Sequence, residues 1–196
     1  MAASTRSLLD RVYLVYFLIH IAILFCVDLV PLYPPSLWVP ADAPLHFLHD
    51  LRAYYFATYN DRFFAPAPAA IPNFFPLFAA LELAFHLPVS AWAVRALWPS
   101  SSSSSSAGTK GGLSGAAELL LLVYGVETAL TTATCMHEAY LWDAAVVTAR
   151  QKAWLLGPLY GSYLALAVLL TADMYTRLLK RVSGAAGDAG KIKKAQ

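Results

Sequence analysis

The sequence predicts an all-α membrane protein, a four-transmembrane-helix bundle with a short lumenal interfacial helix. Of its 196 residues, 59% are hydrophobic and only 13% are charged, whereas a soluble domain carries about 25% charged residues. The apolar residues fall in four runs, each long enough to cross a hydrocarbon core of about 30 Å as a helix. Lipid cannot hydrogen-bond an open backbone, so such runs form helices. The net charge of +2 gives no indication of nucleic-acid binding.

The four spans are predicted at residues 12–30, 74–94, 116–136 and 153–175. The first is interpreted as a retained helix and not as a signal peptide, because it is long and no small-residue cleavage site follows it. The remaining organisation comprises a cytosolic N-terminal tail (1–11), a membrane domain (12–177), a flexible serine-rich cytosolic linker within it (99–113) and a basic cytosolic tail (178–196).

The basic residues predict the orientation of the chain in the membrane. Ten lysines and arginines lie in the two tails and the second connection, and four lie in the other two connections. Because basic residues favour the cytosolic side, both termini are expected there. Lys193 and Lys194, fourth and third from the end, match a dilysine retrieval signal for the endoplasmic reticulum. A basic tail lying beside anionic lipid is the simpler alternative.

The first connection, residues 31–72, is rich in proline, tryptophan and tyrosine. Within it, large apolar residues recur at helical spacing at Leu45, Leu48, Leu51, Tyr55 and Tyr59. This spacing predicts a short amphipathic helix over residues 44–59 at the membrane surface. A lumenal loop that only packs on the bundle is the alternative.

Acidic residues inside the spans are the strongest indication of a site. Glu82 lies in the middle of the second span, where a carboxylate is costly unless it has a partner, a proton or a ligand. His86 follows on the same helical face, so the two could transfer protons or only satisfy each other. Glu127 lies in the middle of the third span and could pair with either. His20 and Asp28 share one side of the first helix, where Asp28 could face a ligand or reach water.

Other polar residues in or near the spans have simpler interpretations. Glu118 is expected to reach water at its helix end, and Asp173 to form a surface pair with Arg177. Cys26 and Cys135 show no disulfide or metal-ligand spacing, so neither a metal site nor a cofactor is predicted. The histidines outside the spans (His46, His49 and His137) are typical of interface residues.

Several segments together resemble the EXPERA-domain membrane proteins, in particular the sigma-2 receptor branch and its fungal relatives. The first helix contains YFLIHIAILFCVDL from Tyr16 to Leu29, and the second contains LELAFHLP from Leu81 to Pro88. The first connection ends in YND, and the later helices contain YGVETALTT and LYGSYLALAVLL. The resemblance extends over about residues 10–180.

The resemblance implies a bundle in the endoplasmic reticulum with a pocket that opens toward the membrane and binds sterols and cationic amphiphilic amines. The family's two ligand-facing acids correspond to Asp28 and Asp61, and its mid-membrane glutamate to Glu82. Its paired tyrosines correspond to Tyr160 and Tyr163, between which this chain has Gly-Ser where the animal receptor has a proline. The predicted ligand-binding set is His20, Asp28, Asp61, Glu82, Tyr160 and Tyr163.

The leading hypothesis is therefore a non-catalytic protein that influences sterol handling or membrane-protein traffic. A related branch, the emopamil-binding protein, is a sterol Δ8–Δ7 isomerase, for which Glu82, His86 and Glu127 would be the acid and base groups. The order of the glutamate and the histidine differs from that expected of the enzyme, so catalysis ranks lower. A third hypothesis is an accessory factor in protein targeting between organelles. Membrane lipid and a homodimer partner are further expectations.

Overall fold

The computed structural model describes residues 8–66, 71–98 and 113–194, with the last ten of these described by their backbone only. Residues 99–112 of the predicted serine-rich linker lie outside the described residues, and so do the side chains of Lys193 and Lys194. The described parts of the chain contain helices and no strands.

Five helices organise the structure. They are α1 (Leu8–Asp28), α2 (His46–Tyr59), α3 (Phe75–Leu97), α4 (Gly115–Leu141) and α5 (Ala149–Gly184, continuing to Lys194). All except α2 are long and apolar enough to cross a membrane. The predicted all-α fold with four transmembrane helices is therefore confirmed. Three short 3-10 turns lie in the first connection, at Val30–Leu32, Pro35–Leu37 and Arg62–Phe64.

Local hydrogen bonds define several helix ends. At the start of α4, the Ser114 hydroxyl accepts the Ala117 N–H at 3.2 Å. Thr148 and Gln151 form a reciprocal capping box at the start of α5, which satisfies amides that have no partner within the helix. Helix α2 ends at Asn60, whose left-handed backbone (φ 50°) lets its N–H bond the Phe56 carbonyl. Asparagine tolerates this conformation better than most residues.

The spans pack most extensively as two pairs, α4 against α5 and α1 against α3. The first pair approaches closely at Gly125, where an added Cβ would lie 2.6 Å from the Thr171 hydroxyl and 3.2 Å from the Ala167 carbonyl oxygen. A side chain at this position would therefore force the helices apart. The core between the pairs is built from large buried side chains, including Tyr13, Phe17, Leu97, Leu121, Tyr124, Leu170 and Met174.

Ion pairs join the spans at the end of the bundle where α1 begins. Arg177 bonds Asp173 at 2.7 Å and also reaches Asp10 on α1 at 2.8 Å, so it connects two helices. Glu118, which was expected to reach water, is only 3% exposed and is bonded twice by Arg181, at 2.5 and 2.9 Å. That expectation is wrong because a cation on α5 reaches the carboxylate and satisfies it within the bundle.

Helix α2 covers the opposite end of the bundle. The Asn60 amide nitrogen donates to the Val146 carbonyl at 2.6 Å, and Gln151 donates to the Thr58 carbonyl at 3.3 Å. These bonds join the end of α2 to the connection between α4 and α5 and to the first turn of α5. The outer side of α2 exposes Phe47 and Tyr54, an apolar surface suited to a membrane interface.

Candidate functional site: an acidic cavity between the spans

A cavity of about 270 Å³ lies between the spans, near the end covered by α2. Its size is close to the lower end of the range for ligand sites, about 300 to 1,000 Å³. Apolar side chains contribute Ile23, Val27, Phe64, Phe75, Phe78 and Leu159 to its wall. Polar side chains contribute His20, Asp28, Tyr55, Glu82, Thr131, Thr132, Cys135, Tyr160 and Tyr163.

Five of the six residues predicted to bind a ligand line this cavity. They are His20, Asp28, Glu82, Tyr160 and Tyr163, contributed by α1, α3 and α5. The sixth, Asp61, is fully buried and is not among the lining residues. The structure therefore brings the predicted set together around one space, with Asp61 behind its wall.

Asp61 supports two tyrosines of the wall. Its Oδ2 accepts hydrogen bonds from Tyr160 at 2.6 Å and Tyr55 at 2.8 Å, and its Oδ1 accepts the Phe63 N–H at 3.1 Å. Burial raises the pKa of Asp61, and these three hydrogen bonds oppose that rise. Burial also raises the pKa of Tyr55, which therefore keeps its proton and remains a donor. Asp61 thus fixes the orientation of two phenol rings.

Asp28 and Glu82 are the two carboxylates that face the cavity, and both are partly buried. Within the described part of the chain, neither carboxylate accepts a hydrogen bond or forms an ion pair. Nearby, the Arg52 guanidinium donates to the Val27 carbonyl at 2.5 Å and lies over the Phe64 ring. Burial lowers the pKa of Arg52, while Asp28 opposes that lowering. Sequence reasoning missed Arg52, whose place on a predicted surface helix gave no indication of this contact.

Three π turns lie beside the cavity, and the sequence analysis did not predict them. They span Leu24–Asp28, Glu82–His86 and Leu155–Leu159, each closed by an N–H that bonds the carbonyl five residues earlier. The first ends at Asp28, the second begins at Glu82, and the third immediately precedes Tyr160. π turns of this kind are frequent at functional sites. Proline lies within the third turn and just after the second, and proline is a known cause of such irregularities.

His86 does not line the cavity, because its ring turns toward α4. It is buried and its Nε2 contacts the Glu127 carboxylate. Of the two partners that the sequence left open for Glu127, the structure shows His86. No hydrogen bond between His86 and Glu82 occurs within the described residues. The three residues considered for isomerase chemistry are thus divided, with Glu82 on the cavity and the other two joined to each other.

A hydroxyl and imidazole network supports the other side of the cavity. His20 is buried, and its Nδ1 contacts the Tyr163 hydroxyl. Beside it, the hydroxyls of Tyr16 and Tyr124 lie 3.3 Å apart, and Tyr124 lies 3.5 Å from the Ser90 hydroxyl. These contacts join α1, α3, α4 and α5, so they fix where His20 and Tyr163 meet the cavity.

Thr131 and Thr132 also line the cavity, although neither belongs to the predicted ligand-binding set. As expected of a threonine within a helix, Thr131 donates to the carbonyl of Glu127 one turn earlier, at 3.0 Å.

Comparison with known proteins places the chain in a family. The EXPERA (EXPanded EBP superfamily) family matches residues 47–174. "Efficient mitochondria targeting-associated protein 19" of Schizosaccharomyces pombe (strain 972 / ATCC 24843) is 29% identical over 178 residues, which cover 90% of this chain and 80% of that protein. The family match includes Asp61, Glu82, His86, Glu127 and the paired tyrosines. A bundle of four apolar helices and a match over more than half of the sequence lead to one conclusion: the chain belongs to the EXPERA family.

Proposed function

We propose that this protein binds a sterol or a cationic amphiphile in the acidic cavity and does not transform it. The observation that supports the proposal is the pair Asp28 and Glu82, two carboxylates that face an apolar and aromatic space. A carboxylate beside an apolar wall is costly in isolation, and a protonated amine offsets that cost. The aromatic wall suits the flat apolar body of such a ligand.

Catalysis ranks lower because the acid and base groups are not together on the cavity. A proton-transfer pair must lie within hydrogen-bond reach of the atoms that exchange protons. Glu82 meets that condition for a molecule in the cavity, whereas His86 and Glu127 are joined to each other outside its lining. We therefore expect that the protein does not restore sterol Δ8-to-Δ7 conversion in cells that lack it.

Bound lipid provides the direct test. We expect lipid extracted from the purified protein to contain a sterol or an amphiphilic amine at near-equal molar ratio to protein, as measured by mass spectrometry. A Tyr160→Phe/Tyr163→Phe variant should carry less, and an Asp42→Asn variant, changed on an exposed loop, should carry as much as the wild type. Recovery of bulk phospholipid alone, in equal amounts from all three proteins, would contradict the proposal.

The proposed location is the membrane of the endoplasmic reticulum, with both termini cytosolic. The distribution of basic residues and the pair Lys193 and Lys194 support it. Digestion of sealed microsomes gives the test, because protease should remove a tag placed after residue 196. Protection of that tag would mean that the orientation is reversed.

A second candidate function is assistance in targeting proteins to mitochondria. The name of the fission yeast relative supports it, and that likeness extends over most of both chains. Cells without the protein should then deliver a mitochondrial reporter less efficiently, and the wild-type gene should restore delivery. Rescue by an Asp28→Asn variant would show that targeting does not depend on the cavity carboxylate. Failure of that variant to rescue would show that it does.

A further inference from the structure

We propose that His46, His49 and Asp50 form a binding site for a divalent transition-metal ion, with zinc as the expected ion. The three residues lie in the first two turns of α2, at the end of the bundle away from the ion pairs. Each offers one ligand atom, and these atoms all lie within 4.8 Å of one another. This site is separate from the cavity, and the proposal does not depend on what the cavity binds.

The distances between the ligand atoms suit a zinc ion. His46 Nε2 lies 3.5 Å from Asp50 Oδ1, and His49 Nδ1 lies 3.4 Å from the same oxygen. Zinc bonds to nitrogen and oxygen are about 2.1 Å long and tetrahedral, which requires ligand atoms about 3.4 Å apart. These two distances therefore match two edges of such a tetrahedron. The two histidine rings are also stacked, with centroids 5.1 Å apart, so they lie side by side on the helix.

The chemistry of the three groups favours zinc over calcium or magnesium. Imidazole is a preferred ligand of zinc, copper and nickel, whereas calcium and magnesium select oxygen ligands. Two imidazoles and one carboxylate are a ligand set used by zinc sites, with water completing the coordination. The side chains of His49 and Asp50 are 44% and 69% exposed, so an ion can reach them without unfolding the helix.

An ion at this position would stabilise the start of the helix that covers the cavity. Leu45, at the N-cap of α2, offers no side-chain hydrogen bond to the first turn, so this end of the helix lacks one usual source of stability. A metal that bridges residues three and four apart closes that turn. The same helix supplies Tyr55 to the cavity wall and Arg52 beside Asp28. Metal binding should therefore stiffen the helix that covers the cavity.

The test is zinc competition with a chromogenic chelator, using the full chain in detergent and purified without a polyhistidine sequence. We expect one zinc ion per protein, with affinity at least tenfold weaker in His49→Ala and in the double variant His46→Ala/His49→Ala. The matched control is His137→Ala, which removes a histidine elsewhere and should bind as the wild type does. Asp50→Asn keeps the size of an exposed side chain and should weaken binding severalfold.

Thermal melts distinguish loss of zinc binding from loss of folding in the variants. Zinc should raise the melting temperature of the wild type and of His137→Ala, and should not raise that of the double variant. All variants should melt together in the presence of EDTA, because the changed side chains are largely outside the core. Equal zinc affinity in the wild type and the double variant, or no binding by the wild type at all, would overturn the proposal.

Discussion

Replacing Asp28 by asparagine removes one negative charge from the cavity and leaves the side chain nearly unchanged in size. Because the Asp28 carboxylate has no hydrogen-bond partner within the described residues, the substitution removes no internal hydrogen bond there. A hydrogen bond to a charged group contributes about 1.5 to 3 kcal/mol. Loss of that contribution should weaken a protonated amine about tenfold to a hundredfold. A neutral sterol should lose far less, since it does not use the charge.

Arg52 reduces the contribution of Asp28 toward the lower end of the tenfold-to-hundredfold range. Its guanidinium is held at the Val27 carbonyl, one residue before Asp28, and so offsets part of the carboxylate's charge. In an Arg52→Met variant the full charge of Asp28 is available, so the amine should bind more tightly than to the wild type if the helix remains in place. The two substitutions therefore have opposite expected effects on the same ligand.

The assay is competition binding of one amine and one sterol to wild type, Asp28→Asn and the control Asp42→Asn, which lies outside the cavity. Glu82→Gln should weaken both ligands, because it changes the middle of the wall. Equal loss of amine and sterol in Asp28→Asn, at unchanged melting temperature, would show that Asp28 is structural and not the counter-charge.

Three further predictions concern stability in detergent, measured by thermal melts. Gly125→Ala should lower the free energy of unfolding by about 1 to 3 kcal/mol, because the added Cβ would lie 2.6 Å from a hydroxyl of α5. The control Gly157→Ala should be tolerated, since nothing lies within 4 Å of a Cβ added there. Equal destabilisation by the two variants would contradict the close packing at Gly125. Arg181→Met should lower the free energy of unfolding by about 1 to 3 kcal/mol, because the buried Glu118 carboxylate would lose its donor. The control Lys180→Met, at an exposed neighbouring position, should change it little. Burial raises the pKa of Asp61, so folding favours its protonated form. The resulting contribution to the free energy of unfolding is present below about pH 4 and is lost as pH rises through the raised pKa. The stability of wild type relative to Asp61→Asn should therefore fall from about pH 4 toward neutrality, and a constant difference would exclude this titration.

The sequence predicted the fold because lipid imposes a strong pattern. A run of about 20 apolar residues has few structural alternatives in a bilayer, so the four spans could be predicted from the sequence. The same cost of burial identified Glu82 and Asp28, since a carboxylate in an apolar run is conspicuous. Asp61 was placed only by resemblance, and its role as a support for Tyr55 and Tyr160 depends on contacts between distant segments.

The remaining features depend on helix register and on partners far apart in the chain. Glu118 was expected in water because its helix end is near, and only the packing of α5 brings Arg181 to it. The contact of His86 with Glu127 was one of several open pairings, and the relative rotation of α3 and α4 decided among them. The turn of α2 that gathers His46 with Asp50 was hidden because each residue alone is ordinary at a surface.

The π turn at Glu82–His86 has a consequence for how this site varies among relatives. A π turn holds one more residue than the α turn it replaces, so a single-residue insertion creates it and a single-residue deletion removes it. Such a deletion would rotate all later residues of α3 by about 100°, and it would carry the remaining side chains of the helix away from their present neighbours. An alignment that forbids gaps inside membrane helices would then match Ser90, which is buried here, to a residue facing lipid in another protein. Relatives should therefore be compared by the turn they form at this depth as well as by the acid they carry.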